Sequence, residues 1–155
     1  MQIRSHAFAD GEPIPEEHTA DGEDASPPLN LTDVPDETET LAIIVDDPDA
    51  PREDPLVHWL MWNIPGEADT IAAGYPPSGD GKAFNASCQG ANDFGNERYD
   101  GPAPPEGEGP HRYRFQLFAL EAQLDVDEGA QREELENAME GAVIAEDTLT
   151  GTYER

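Results

Sequence analysis

The apolar residues of this chain gather in short dense windows, Leu41 to Val45, Val57 to Ile64 and Tyr113 to Leu120, and 15 prolines with 14 glycines cut the remainder into short pieces. That punctuation reads as an all-β sandwich of antiparallel strands with many loops, helix being the exception. A chain of 155 residues buries roughly 70% of the surface its unfolded form exposes, enough for one core and not two. Residues 1–155 therefore read as a single domain.

Leu41 to Val45 is an almost unbroken apolar run of strand length, followed at once by Asp46-Asp47-Pro48-Asp49-Ala50-Pro51, a turn sequence that cannot continue a central strand. Strict alternation through Val57 to Ile64 predicts one face carrying His58, Leu60, Trp62 and Ile64. From His111 to Leu120 alternation gives one face with His111, Tyr113, Phe115, Leu117 and Ala119 and another with Arg112, Arg114 and Gln116. A helix is predicted over Asp127 to Val143: Leu135, Ala138, Met139 and Ala142 fall at i, i+3, i+4 and i+7, Asp127 caps the start and Gly141 marks the end. Thr148 to Tyr153 is β-branched and aromatic enough for a closing strand. Ala7 to Asp36 reads as packed loops around one or two short strands, anchored by Ile14, Leu29, Leu31 and Val34. Gly66 to Gly109 reads as a long Gly- and Pro-rich stretch of the kind that carries function.

Lys and Arg number 8 against 35 Asp and Glu, for a formal charge of -27, and the single lysine is Lys82. Acid on this scale accompanies disorder when apolar residues are dilute; here they are concentrated, so the charge reads as adaptation to a salt-filled cytoplasm that screens self-repulsion. It also excludes nucleic acid and anionic membrane surfaces as partners, because both demand basic stripes. The lone Cys88 rules out an internal disulfide. Met1 to Phe8 has no apolar core of signal-peptide length, and no window approaches a membrane span. The expected location is the cytoplasm, with no membrane anchor.

Three separated segments bring polar groups to strand ends: Asp47 and Asp49 after one strand, His58 at the start of another, His111 with Tyr113 at the start of a third. Two imidazoles facing one cavity can donate to an oxyanion, while a carboxylate fixes the tautomer of one ring. Asp47 is assigned that orienting role toward His58. Tyr113 adds a donor, Gly101 allows close approach of backbone amides, and Pro51, Pro104 and Pro105 stiffen the walls. The sum fits a phosphate- or carboxylate-sized group. Asp and His also serve as metal ligands, but no H-x-H or C-x-x-C spacing points to a dedicated zinc site. Ser87 and Cys88 lie outside any G-x-S-x-G elbow, so an enzyme is not expected and a hydrolase remains the lesser alternative.

Asp47-Pro48-Asp49-Ala50-Pro51, His58 within H-W-L-M-W-N-I-P, and the run from Gly101 to Tyr113, G-P-A-P-P-E-G-E-G-P-H-R-Y, together resemble the phosphatidylethanolamine-binding protein family in its bacterial and archaeal Raf-kinase-inhibitor-like branch. Ser5 to Gly11, Ser26 to Leu29, Asn92 to Gly95 and Leu149 to Tyr153 extend the resemblance over nearly the whole chain. It implies a β-sandwich with Greek-key links and an anion pocket lined by Asp47, Ala50, Pro51, His58, Gly101, Ala103, Pro104, His111 and Tyr113. It implies no cofactor. The implied ligand is a small phosphorylated or carboxylated molecule, such as a phospholipid headgroup; the alternative is a regulator, restraining a kinase or protease, that receives a phosphorylated protein. A homodimer is compatible with the prokaryotic branch.

The charge yields a prediction. At molar salt the Debye length falls to about 3 Å, so thermal midpoints should climb steeply as KCl rises from millimolar to molar. A melt indifferent to KCl would refute the reading of salt adaptation.

Overall fold

The computed structural model describes residues 1–77, 84 and 86–155, so Lys82 and part of the long central stretch lie outside the described residues. Among the described residues the strands are β1 (Gln2–Arg4), β2 (Leu29–Thr32), β3 (Thr40–Asp47), β4 (Leu56–Pro65), β5 (Thr70–Ile71), β6 (Cys88–Gln89), β7 (His111–Leu120) and β8 (Val143–Tyr153), and one α-helix, α1, spans Arg132–Met139. They form two antiparallel sheets, β1-β2-β5 and β6-β4-β3-β7-β8. The expected antiparallel sandwich with one helix is the observed architecture.

The larger sheet is covered on both faces, which explains why β3 reads as continuously apolar and is buried at every position. Ile43, Val45, Met61, Phe115 and Leu117 pack against Ile3, Leu29, Leu31 and Ile71 of the small sheet. On the opposite face Ala42, Ile44, Leu60 and Trp62 pack against Leu135 and Met139 of α1. No helix among the described residues is long and apolar enough to cross a membrane.

Strict alternation fails in β4. Pairing with β3 slips between Leu41 and Ile43 and again between Val45 and Asp46, so that two residue steps on β3 match three on β4, and one step matches two. Asn63, at φ 54°, sits in the first irregularity and His58 is the extra residue of the second. As a result Leu60 and Trp62 face α1, while Trp59, Met61 and Ile64 face the small sheet. His58 leaves the Leu60 face and sets its ring against Tyr113, with centroids 5.2 Å apart. In β7 no slip precedes Ala119, and the predicted faces hold.

The helix is shorter than its apolar spacing predicts and does not begin at Asp127. Gly129 takes φ 87°, and the 129–130 backbone is committed to the Gln89–Ala91 segment, with Gly129 N–H donating to the Gln89 carbonyl and Ala91 N–H to the Ala130 carbonyl. Gln131 caps the start instead, in a capping box with Glu134. The end falls where expected, before Gly141 at φ 82°, and β8 already begins at Val143 rather than Thr148.

One buried carboxylate fastens the helix to the sheet. Asp46 is fully buried and accepts from Arg114 at 2.8 Å through both oxygens and from Arg132 Nη1 of α1 at 2.7 Å. Removing the carboxylate strands the partly exposed Arg114 guanidinium and leaves Arg132 only Glu136. Asp46→Ala should therefore lower unfolding free energy by about 3 kcal/mol, read as a drop in the denaturant midpoint at molar KCl with an unchanged slope.

Candidate anion-binding site

Asp46 and Asp47 are consecutive on β3, so their side chains leave opposite faces of the sheet. Asp47 points to the end of the sandwich, where its Oδ2 accepts from His111 Nδ1 at 2.7 Å and its Oδ1 accepts from the Asp49 amide at 2.8 Å. Asp49 is a clamp for this loop: it takes both the side chain and the amide of Arg112, at 2.8 to 2.9 Å. Asp47 therefore orients His111, not His58 as expected.

The ring of His58 is held by main chain. Its Nδ1 lies 2.6 Å from the Asp100 carbonyl, and the Asp100 amide donates back to the His58 carbonyl at 3.1 Å. The Asp100 carboxylate is fixed in turn by Asn92, Asn96 and Arg98. Asn92 also accepts from the amides of Phe94 and Asn96, which seats the Phe94 ring 5.2 Å from His58. Phe94 remains 46% exposed at the rim.

These groups enclose a cavity of about 210 Å³ lined by Asp47, Ala50, Pro51, Leu56, His58, Phe94, Ala103, Pro104, Pro105, His111 and Tyr113. Of the nine residues expected at the site, eight line it. Gly101 does not: its amide donates to Asp24 Oδ1 at 2.7 Å, and an added Cβ would stand 2.6 Å from that oxygen and from the His18 carbonyl. Close approach does require a glycine there, but the approaching group is the protein's own loop. A larger cleft of about 520 Å³ lies beside α1; its Arg52 and Arg132 are already paired with Asp93, Asp46 and Glu136. The smaller cavity holds the buried polar groups.

Those groups differ in charge. Burial opposes the charged form of His111, but Asp47 and Glu108 outweigh it and hold the ring above its ordinary value. Burial likewise dominates at His58, and wins: it pulls that ring below its ordinary value despite the Asp100 carbonyl and the nearby Asp47. Tyr113 is pushed far up by burial, with Asp47 adding to the effect, so its phenol keeps its proton. Glu108 was absent from the sequence expectation. Its Oε1 sits 3.3 Å from His111 Nε2, where an anion would dock, and nothing in E-G-E-G distinguishes it from the surrounding surface acids. The Asp100 carbonyl was invisible too, since any residue supplies one. As for the hydrolase alternative, Ser87 donates to the Phe84 carbonyl at 2.7 Å, and burial raises the Cys88 thiol.

The family described as phosphatidylethanolamine-binding protein matches residues 4–154. A UPF0098 protein of Methanothermobacter thermautotrophicus is 44% identical, covering 100% of this chain and 99% of its own. The crystal structure of a phosphatidylethanolamine-binding protein homologue from Chlamydia trachomatis superposes with a TM-score of 0.90 at 39% identity, over 99% of this chain and 97% of that one. Escherichia coli YbcL, presented as a member of the mammalian family, gives 0.91 at 30% identity over 99% and 98%.

A raised His111 stabilises the fold fully below its unfolded value of about 6.5, and that contribution disappears as pH rises through the folded value. Stability should therefore decline as pH rises from about 6.5 through the higher folded value of His111. In Asp47→Asn the His111 resonances should titrate at lower pH and the decline should flatten. An unmoved titration would dissolve the assigned pair.

Proposed function

We propose, from the premise that the chain belongs to the phosphatidylethanolamine-binding protein family, that it is a binding module whose His58–His111 cavity holds a single small oxyanion, phosphoryl or carboxylate. One observation carries this reading: Asp47, His58, His111 and Tyr113, all buried, converge on one cavity whose remaining walls are mostly proline, alanine and leucine. Buried polar groups are normally saturated by the protein itself. Here His58 Nε2 has no hydrogen-bond partner among the described residues.

Size supports a headgroup. At about 210 Å³ the cavity falls below the ~300–1,000 Å³ that encloses a whole drug-sized ligand, so the rest of a larger molecule would extend past Phe94 into solvent. Among the described residues no lysine or arginine lines the cavity; His111 is its cationic donor and Tyr113 its neutral one. An anion must also approach a protein of formal charge -27, which is feasible where salt reduces the Debye length to about 3 Å. Glu108, with its side chain 43% exposed, can swing away from His111 Nε2 when a ligand enters.

An NMR titration of the four histidines with phosphomonoesters in molar KCl should move His58 and His111 to saturation while His6 and His18 stay still. His111→Ala should abolish the response, and Glu108→Gln should tighten binding severalfold at pH 6, where His111 keeps its proton. Binding of phosphorylated proteins without free phosphomonoesters would favour a regulator of protein partners. No response from either histidine would remove the assignment.

A further inference from the structure

The two histidines are not equivalent, and the difference specifies the ligand. A carbonyl has no proton to give, so the 2.6 Å contact between His58 Nδ1 and the Asp100 carbonyl places the ring proton on Nδ1. That carbonyl cannot turn away: Asp100 is tied to His58 by a main-chain bond and to Asn92, Asn96 and Arg98 through its carboxylate. Burial disfavours a second proton on the ring. Nε2 is thus a lone-pair acceptor, buried and without a partner among the described residues. The charged or titratable groups around it are Asp47 from β3, Asp24 and Asp100 from the loops, and His111 and Tyr113 from β7, with Glu108 beside His111. The cavity therefore combines two acceptors, His58 Nε2 and the Asp47 carboxylate, with two donors, His111 and Tyr113.

A fully ionised anion satisfies only half of that set. Its oxygens would face the lone pair of His58 and the charge of Asp47, both repulsive. Resting on the oxyanion reading above, we propose that the cavity selects an oxyacid that retains one hydroxyl, the ligand O–H donating to His58 Nε2 while its anionic oxygens accept from His111 and Tyr113. The ligand class is a hydrogen phosphomonoester or hydrogen phosphonate; sulfate esters, phosphate dianions and ionised carboxylates are disfavoured. His58 determines this specificity and His111 supplies the attraction. Sites built to pair a ligand hydroxyl reject analogues lacking it, because their own polar groups are then left unmatched.

Methyl phosphate and methyl sulfate test this directly. Both are tetrahedral and carry one negative charge at slightly acid pH, and only the phosphate keeps an O–H. In molar KCl at about pH 5, methyl phosphate should bind at least about tenfold more tightly, the scale of one hydrogen bond to a charged ligand. Raising pH should shrink that ratio as the ester loses its second proton near pKa ~6. Methyl sulfate has no proton to lose, so its own pH curve reports His111 alone and separates the two effects. The ¹⁵N spectrum of the methyl phosphate complex should show His58 Nε2 unprotonated. Equal affinity for the two esters, a ratio constant with pH, or an imidazolium at His58 would overturn the hydroxyl selection while preserving the anion site. If neither ester binds, the site reading itself fails.

Discussion

Strand β3 is buried on both faces and ends in two adjacent carboxylates, and the remainder of the structure is arranged around satisfying them. A buried unpaired carboxylate is too costly to persist, and strand alternation prevents one partner from serving both. Asp46 emerges on the helix side and recruits Arg114 from the neighbouring strand and Arg132 from α1. Asp47 emerges at the sandwich end and recruits His111. The bulge at His58 follows from the same locality: the slip in pairing falls opposite Val45 and Asp46, and it turns His58 toward Tyr113 instead of into the apolar layer beneath α1. Anchoring of the helix and assembly of the cavity are thus two consequences of one dipeptide.

The economy of positive charge reinforces this view. Six of the seven arginines, Arg52, Arg98, Arg112, Arg114, Arg132 and Arg155, are engaged with carboxylates of the fold. Several of these contacts are on the surface and worth little individually, but Arg112 and Arg98 hold Asp49 and Asp100, the residues that set the two loops beside the cavity. The molecule places arginine behind the walls and imidazole inside them. Recognition by imidazole and phenol is directional and proton-specific in a way that recognition by a fixed guanidinium is not.

Much of this was legible in the sequence because burial imposes a period. The unbroken run Leu41 to Val45 declared a strand covered on both sides, and alternation from His111 correctly put His111 and Tyr113 on one face with Arg112 and Arg114 on the other. Reading failed wherever the backbone departs from its period. His58 was given the Leu60 face because a bulge leaves no mark in composition, and the helix was begun at Asp127 because its apolar spacing conceals that Gly129 and Ala130 bond to the Gln89–Ala91 segment. Partners separated widely in sequence were equally hidden. Asp47 was paired with the wrong histidine since both lie within reach of the loop on paper, and only the folded chain reveals that a main-chain carbonyl already holds His58.

That carbonyl fixes the tautomer of His58 and leaves Asp47 to His111. With Asp47 and Glu108 against His111, and burial prevailing at His58, one ring rises and the other falls. His111 and Tyr113 thus offer donors to the same cavity into which His58 offers an acceptor. In concentrated salt, mere charge attraction would fill such a cavity with whatever anion is abundant, because screened Coulomb forces discriminate poorly. Hydrogen-bond polarity is not screened in a buried site, so an acceptor placed opposite a donor is the means by which a halide or sulfate can be refused.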